Sequence, residues 1–238
     1  MATDQKALFK ERAERILDFL NTKQRYNQLL IPPPFFIEFL GSASSGKSST
    51  IKLIYNFLRR NGFEVLMPQE GAEVFPSNWR KNPDYNIQTG MYALGILLRE
   101  RKRHNYDFVL FDRCIFDAYH WMMYWYEKER LTKEQRQHWQ AIFLDPLFSP
   151  DIKLAFIMTC EPNVALAREN EHALTDDLGE TTNPQAIAKT IERHRTMYDA
   201  LILHNPQLRL VDTTTTSRKE VAGRIGAEIL KILDPLEK

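Results

Sequence analysis

Apolar residues along this chain fall into two alternating kinds of run. One kind is short and almost wholly apolar: 35–40 (Phe-Phe-Ile-Glu-Phe-Leu), 63–67, 107–111, 152–158 and 207–211. Runs of this length, rich in aromatic and β-branched residues, read as strands buried on both faces. Between them the apolar positions recur at helical spacing. Residues 47–60 carry Ile51, Ile54, Tyr55 and Leu58 on one side, and Asn61-Gly62 closes that helix. Further helices are predicted near 86–104, 115–129, from a cap at Thr132 to about 147, 162–169, 184–203 and 217–233. An amphipathic helix over 3–30 precedes them all, with Phe9, Ala13, Ile16, Leu17 and Leu20 on its apolar stripe. Pro32-Pro33-Pro34 stops it and forces an extended entry into the first strand.

Five such strands alternating with helices specify a three-layer α/β fold, a five-stranded parallel sheet with helices on both faces. The division expected is an N-terminal helical extension, 1–34, and a main domain, 35–238. The extension would pack on the domain's own surface or on a second copy of the chain.

Composition narrows this picture. The 238 residues are 43% hydrophobic and 26% charged, which calls for a packed core rather than disorder. Net charge is +1, with 32 basic and 31 acidic residues, so no global charge draws the chain to nucleic acid or membrane. The local basic cluster Arg99, Arg101, Lys102 and Arg103 reads equally well as a solvent-facing helix end. Cys114 and Cys160 lack metal-like spacing, and Cys160 would end a buried strand. With a charged N-terminus and no membrane-length apolar run, a reduced, cytoplasmic setting is the expectation.

On such sheets ligands bind beyond the carboxyl ends of the strands, so the residues after each strand carry the chemistry. The first strand runs into Gly41-Ser42-Ala43-Ser44-Ser45-Gly46-Lys47-Ser48, then Ser49. This is G-x-x-x-x-G-K-S between a strand and a helix, a phosphate-binding loop. Gly41 and Gly46 let the backbone amides curl around phosphate oxygens, and the helix start adds partial positive charge. Lys47 would reach the β/γ-phosphates and Ser48 would hold Mg²⁺. Asp112 follows four apolar or aromatic residues, as a Walker B acid does, and would join the Mg²⁺ shell. The next residue is Arg113 rather than the water-activating Glu of many motor ATPases, and a cation there suits an anionic substrate. After 63–67 come Glu70, placed to orient an acceptor hydroxyl and take its proton, and Glu73, which could share that task or bind a ribose hydroxyl.

With Gly-Lys-Ser, an acid after the second strand and Asp-Arg after the third, the chain resembles the P-loop kinases of nucleosides and nucleotides. Thymidylate, deoxynucleoside and ribosylnicotinamide kinases share this layout. The resemblance covers about 35–233 and implies strand order 2-3-1-4-5, ATP and Mg²⁺ as cofactors, and a small-molecule phosphoryl acceptor. It matches Glu70 to the catalytic or substrate-binding acid and Asp112-Arg113 to the metal and phosphate pair. It also implies a lid near 168–183, with Arg168 as its catalytic arginine. Here the lid segment is acidic where relatives carry arginines; Arg193 and Arg195 could substitute, or serve as surface charge. Thr-Arg-Glu-Pro of thymidylate kinases is missing, and Phe-Asp-Arg stands where deoxynucleoside kinases have Glu-Arg-Ser.

In the helix 115–129, Asp117 could touch substrate. The aromatic residues Phe116, Tyr119, Trp121, Tyr124, Trp125 and Tyr126 surround it, and they suit either a core or a stack on a flat base. His120 reads as a structural histidine, and none of the six histidines has metal-ligand spacing. Two other functions stay open. A nucleotide-dependent regulatory switch would lack the guanine-reading Asn-Lys-x-Asp, and a polynucleotide 5′-hydroxyl kinase would sit oddly with a neutral surface. Asp176 to Gly179 fits Asp-x-x-Gly, but no strand precedes it.

Overall fold

The computed structural model describes residues 2–25, 34–103, 105–172 and 183–233. Five parallel strands form one sheet: β1 (Phe35–Gly41), β2 (Val65–Leu66), β3 (Phe108–Asp112), β4 (Ile152–Thr159) and β5 (Leu208–Asp212). Their order is β2-β3-β1-β4-β5, the order the resemblance implied. β1 lies at the centre, in register with β3 (Phe39 beside Asp112) and with β4 (Gly41 beside Met158).

Side chains of successive strand residues point to opposite faces, and here both faces are covered. Phe36, Leu40, Val109, Phe111, Ala155 and Ile157 face one core. That core is closed by α4 (Pro83–Glu100), α5 (Ile115–Glu127), α6 (Lys133–Phe143) and α8 (Pro184–Leu201). Ile37, Phe39, Leu110, Leu154, Phe156 and Met158 face the other, under α2 (Lys47–Arg60) and α9 (Arg218–Leu233). This two-sided burial is why the strands read as continuous apolar runs rather than as alternating ones.

The N-terminal helix α1 (Ala2–Arg25) joins the second core. Ala13, Ile16 and Leu20 are buried there, and the Phe9 ring meets Phe57 of α2 edge-on at 6.1 Å. The expected continuation of this helix to residue 30 and the stop at Pro32-Pro33 lie outside the described residues.

Two local features differ from the sequence reading. β2 is two residues long instead of five. Phe63 turns its ring edge-on to Phe108 at 5.1 Å, and the Glu64 carbonyl accepts the amides of Asp107 and Phe108, so the chain docks on β3 before it pairs as a strand. The stretch before α4 is structured too: α3 (Gly71–Val74) and a 3-10 turn (Ser77–Lys81) lead to a helix that starts at Pro83, in the first turn, where its missing N–H is not needed. Thr132 does cap α6, in a reciprocal box with Gln135, but the helix ends at Phe143 rather than near 147. Ser217 and Glu220 make the same exchange at the start of α9. Among the described residues no helix is long and apolar enough to cross a membrane.

Candidate functional site

The loop from β1 to α2 closes tightly over the carboxyl end of the sheet. Gly41 has φ +140°, and a Cβ there would lie 1.9 Å from the Met158 carbonyl oxygen; Gly46 has φ +87°. Ser44, at φ 52°, shares this left-handed backbone. Ser45 Oγ donates to the Ser42 carbonyl at 2.9 Å and braces the loop from inside. Lys47 folds back along the loop, its Nζ donating to the carbonyls of Ser42 (2.8 Å) and Gly41 (3.2 Å). Burial, then the nearby Arg113 guanidinium, brings its ammonium down to about 8. An anion in the loop would relieve both penalties at once. A cavity of about 280 Å³ opens against this loop, between Ser44–Thr50, Thr213, Thr216 and Arg218.

Ser48 and Asp112, the two residues expected to share Mg²⁺, lie side by side. Ser48 Oγ donates to Asp112 Oδ2 at 2.8 Å, while Asp112 Oδ1 is buried without a hydrogen-bond partner among the described residues. A hydroxyl and an orphaned carboxylate oxygen side by side are hard oxygen donors that fit Mg²⁺.

Arg113, next along, leaves the sheet with φ 70°. Its amide bonds the Phe39 carbonyl at 2.9 Å, and its side chain reaches Glu70 (Nε to Oε1, 2.7 Å) and Asp117 (3.3 Å). Burial opposes the charge on Arg113, but Asp117 and Glu70 outweigh it and hold the guanidinium firmly protonated. Burial raises the Glu70 carboxyl above its usual range, with Arg113 pulling the other way. Asp117 also accepts Trp121 Nε1 at 2.9 Å.

Why this turn holds its shape is answered by a residue the sequence reading passed over. Glu38 sits in the middle of β1, on the same face as Phe36 and Leu40, fully buried. Its carboxyl accepts three backbone amides at the start of α5: Cys114 (2.8 Å), Asp117 (2.9 Å) and Phe116 (3.1 Å). Burial pushes this carboxyl up to about 8 against those three donors. The α5 N-terminus is thereby satisfied internally, and Arg113 and Asp117 are fixed on either side of it. The one available signal was an acid inside an apolar strand run.

A second cavity, about 520 Å³, lies on the far side of Arg113. Glu70, Arg113 and Asp117 form its inner end. Tyr85 and Asn86 of α4, and Trp121, Tyr124 and Trp125 of α5, line its walls. Trp125 Nε1 donates to Asn86 Oδ1 at 2.9 Å, locking two of them. Among the aromatic residues of α5, Phe116 is core alone, whereas Trp125, itself buried, and Trp121 and Tyr124, packed on the same core, also line the cavity.

The remaining candidates divide: Arg168 lines the cavity at the β1–α2 loop, and the others lie away from it. Glu73 is exposed on α3. Arg168, on α7 (Pro162–His172), does reach the β1–α2 loop. Its guanidinium donates to the carbonyls of Thr213 (2.7 Å) and Ser44 (3.4 Å) and meets Thr213 Oγ1 (3.2 Å), so it braces the loop from the cavity that it helps to line. Arg193 is buried and grips Glu127 with Nε and Nη2 (3.0, 3.0 and 2.6 Å), so it is not the surface charge considered from sequence; Arg195 is exposed. Cys160 follows β4 and is buried, as expected. His120 is buried, stacked on His194 with Arg193 near its Nε2, while its Nδ1 has no hydrogen-bond partner among the described residues. Of the expected lid, 173–182 lies outside the described residues, including Asp176 to Gly179. The chain matches no family model, and no match was found among curated proteins.

Proposed function

We propose that this chain is a P-loop kinase that uses ATP and Mg²⁺ to phosphorylate a small molecule held in the aromatic-walled cavity. The observation that carries the reading is the continuous chain of contacts Ser48–Asp112–Arg113–Glu70, which joins a phosphate-binding loop to a cavity of small-molecule size. The loop amides and Lys47 would hold the β/γ-phosphates. Mg²⁺, bound by Ser48 and Asp112, would neutralise charge on the phosphate oxygens. Glu70, whose carboxyl is raised by burial, keeps a second oxygen for an acceptor hydroxyl and takes its proton. The acceptor oxygen then bonds to the γ-phosphorus as the bond from that phosphorus to the β-bridging oxygen breaks, and ADP leaves. Arg113 supplies positive charge next to the transferring group while staying fixed by Asp117.

Walls of Trp121, Tyr124 and Trp125 favour a flat ring on the acceptor, so a nucleoside, a nucleoside monophosphate or a related metabolite fits best. The test is incubation with ATP-Mg²⁺ and a panel of nucleosides, monophosphates and short oligonucleotides, read by mass spectrometry. Gain of one phosphoryl group on a small member of the panel is the expected result. ATP hydrolysis with no phosphorylated product would favour a regulatory ATPase instead.

A further inference from the structure

The aromatic-walled cavity is polarised from one end to the other. Its inner end holds Glu70 and Asp117 with Arg113 between them. Its outer end is lined by Arg80 and Lys81, both exposed, which close the 3-10 turn just before α4. Arg80 is braced there: Nη2 donates to the Ala72 carbonyl and Nε to the Tyr85 hydroxyl, both at 3.3 Å. Nη1 of Arg80 and the Lys81 ammonium have no partner among the described residues. Asp84, the nearest acid in sequence, is exposed and is not part of the lining. Three cations against two carboxylates leave the lining one positive charge in surplus, and the surplus lies at the outer end. The walls between the two ends offer ring faces and one polar group. Trp121 Nε1 is taken up by Asp117 and Trp125 Nε1 by Asn86, so both indoles present only their faces. Asn86 is 6% exposed, and its Oδ1 is fixed as the acceptor of Trp125, which leaves Nδ2 as a donor. That nitrogen has no partner among the described residues and keeps access to the cavity.

We propose that the flat-ringed ligand of this cavity carries a carboxylate on the ring edge remote from its reacting hydroxyl, bound by Arg80 and Lys81, with Asn86 donating to an acceptor atom beside it. This rests on the reading of the cavity as the acceptor site, and it names the acceptor's class: a nucleoside or similar metabolite with an acidic ring substituent. A planar carboxylate matches the open edge of a guanidinium, and the Lys81 ammonium adds a second charge. A surplus of one positive charge suits a monoanion better than a dianionic phosphate. Orientation follows from the same polarity. With the carboxylate at the outer end, the hydroxyl arm lies toward Glu70 and the β1–α2 loop. A ligand turned the other way would set its carboxylate against Glu70 and Asp117, where like charges repel. Arg80 and Lys81 thus act on specificity, away from the reacting atoms, so their loss raises the acceptor KM and spares kcat.

The probes are 5-carboxyuridine and 5-carbamoyluridine, which share size and shape and differ by one charge on the ring. Binding to the full chain is read without nucleotide, by quenching of tryptophan fluorescence, since Trp121 and Trp125 stand in the cavity wall. The expected result is about tenfold tighter binding of the carboxylate, the scale of a charge-assisted hydrogen bond, with the advantage shrinking at high salt. Arg80→Gln should bring the two ligands to near-equal affinity, while Arg59→Gln, at an exposed arginine of α2 paired with Glu64, keeps the preference. Should Arg80→Gln fail to fold, Lys81→Gln, which has no contact to lose, should still narrow the preference. With ATP-Mg²⁺ present, 5-carboxyuridine should show the lower KM and a similar kcat. The binding preference without phosphoryl transfer would uphold the carboxylate site and remove the kinase reading. Equal affinity for the two probes, binding of neither, or a preference unchanged in both variants would overturn the proposal. Transfer to both probes with equal KM would overturn it and leave the kinase reading intact.

Discussion

Residue by residue, the site divides into groups that chemistry demands and groups that only the fold can place. Lys47, Ser48, Asp112 and Arg113 were legible because their contexts are local: a strand, a tight loop and a helix start lie within a few positions of each. Glu38 and the His120–His194 pair were not legible, because nothing in a one-dimensional pattern says which amides or rings will face them. The Lys47 ammonium, lowered to about 8, fixes a pH dependence. If, as proposed, the charged form binds triphosphate, affinity for Mg-ATP should be flat between pH 7 and 8 and then fall about tenfold per pH unit above it. In the nucleotide-free protein the same depressed value means that folding stability rises with pH from 8 towards 10.5, because the unfolded chain binds the extra proton there. Isothermal titration across pH 7 to 10 checks the first statement. Glu70→Gln should lower kcat by about 10²–10⁴ with little change in ATP affinity, as removal of a general base does; unchanged kcat in steady-state assays would leave Glu70 as an ion-pair partner only. Above pH 8, where the Glu38 carboxyl is ionised, Glu38→Gln turns one acceptor into a donor facing α5 amides and should cost about 1–3 kcal/mol in urea unfolding. A variant as stable as the wild type would mean that those amides do not need the carboxyl.

At the scale of elements, strands and long helices followed from apolar spacing, while the pieces around the aromatic-walled cavity did not. β2 has two paired residues, and α3 and the 3-10 turn are too short and too polar for periodicity to announce. Their placement comes from contacts remote in sequence. Gly71 lies so close to α4 that a Cβ would come within 2.9 Å of the Thr89 Cβ. The crossing of α4 and α5, which shapes the cavity, depends on Gly90 in the same way. A Cβ there would lie 2.7 Å from the Ala118 Cβ and 2.8 Å from the Phe143 ring. Gly90→Ala should therefore push the two helices apart, with a loss of about 1–3 kcal/mol typical of overpacking. Because Tyr85 and Asn86 ride on α4, the acceptor KM should rise more than the ATP KM. Equal effects on both would place the strain outside the cavity.

For the whole molecule, the central strand does two jobs at its carboxyl end. β1 runs into the loop that would hold phosphate, and Glu38 within it fixes the turn that presents Arg113 and Asp117. With β3 beside it, β1 puts the β1–α2 loop and the aromatic-walled cavity, the proposed ATP and acceptor sites, on either side of one dipeptide, Asp112-Arg113. The parallel sheet was readable from its doubly buried strands, whereas the order β2-β3-β1-β4-β5 needed the resemblance, since spacing alone does not say which strands are neighbours. The central claim is that the β1–α2 loop grips the triphosphate of Mg-ATP through its amides and Lys47. The most direct measurement is calorimetric titration of a nonhydrolysable ATP analogue with Mg²⁺ into the wild type and into Lys47→Ala. One site per chain in the wild type and none measurable in the folded variant is the predicted result; equal binding by the two proteins would contradict it.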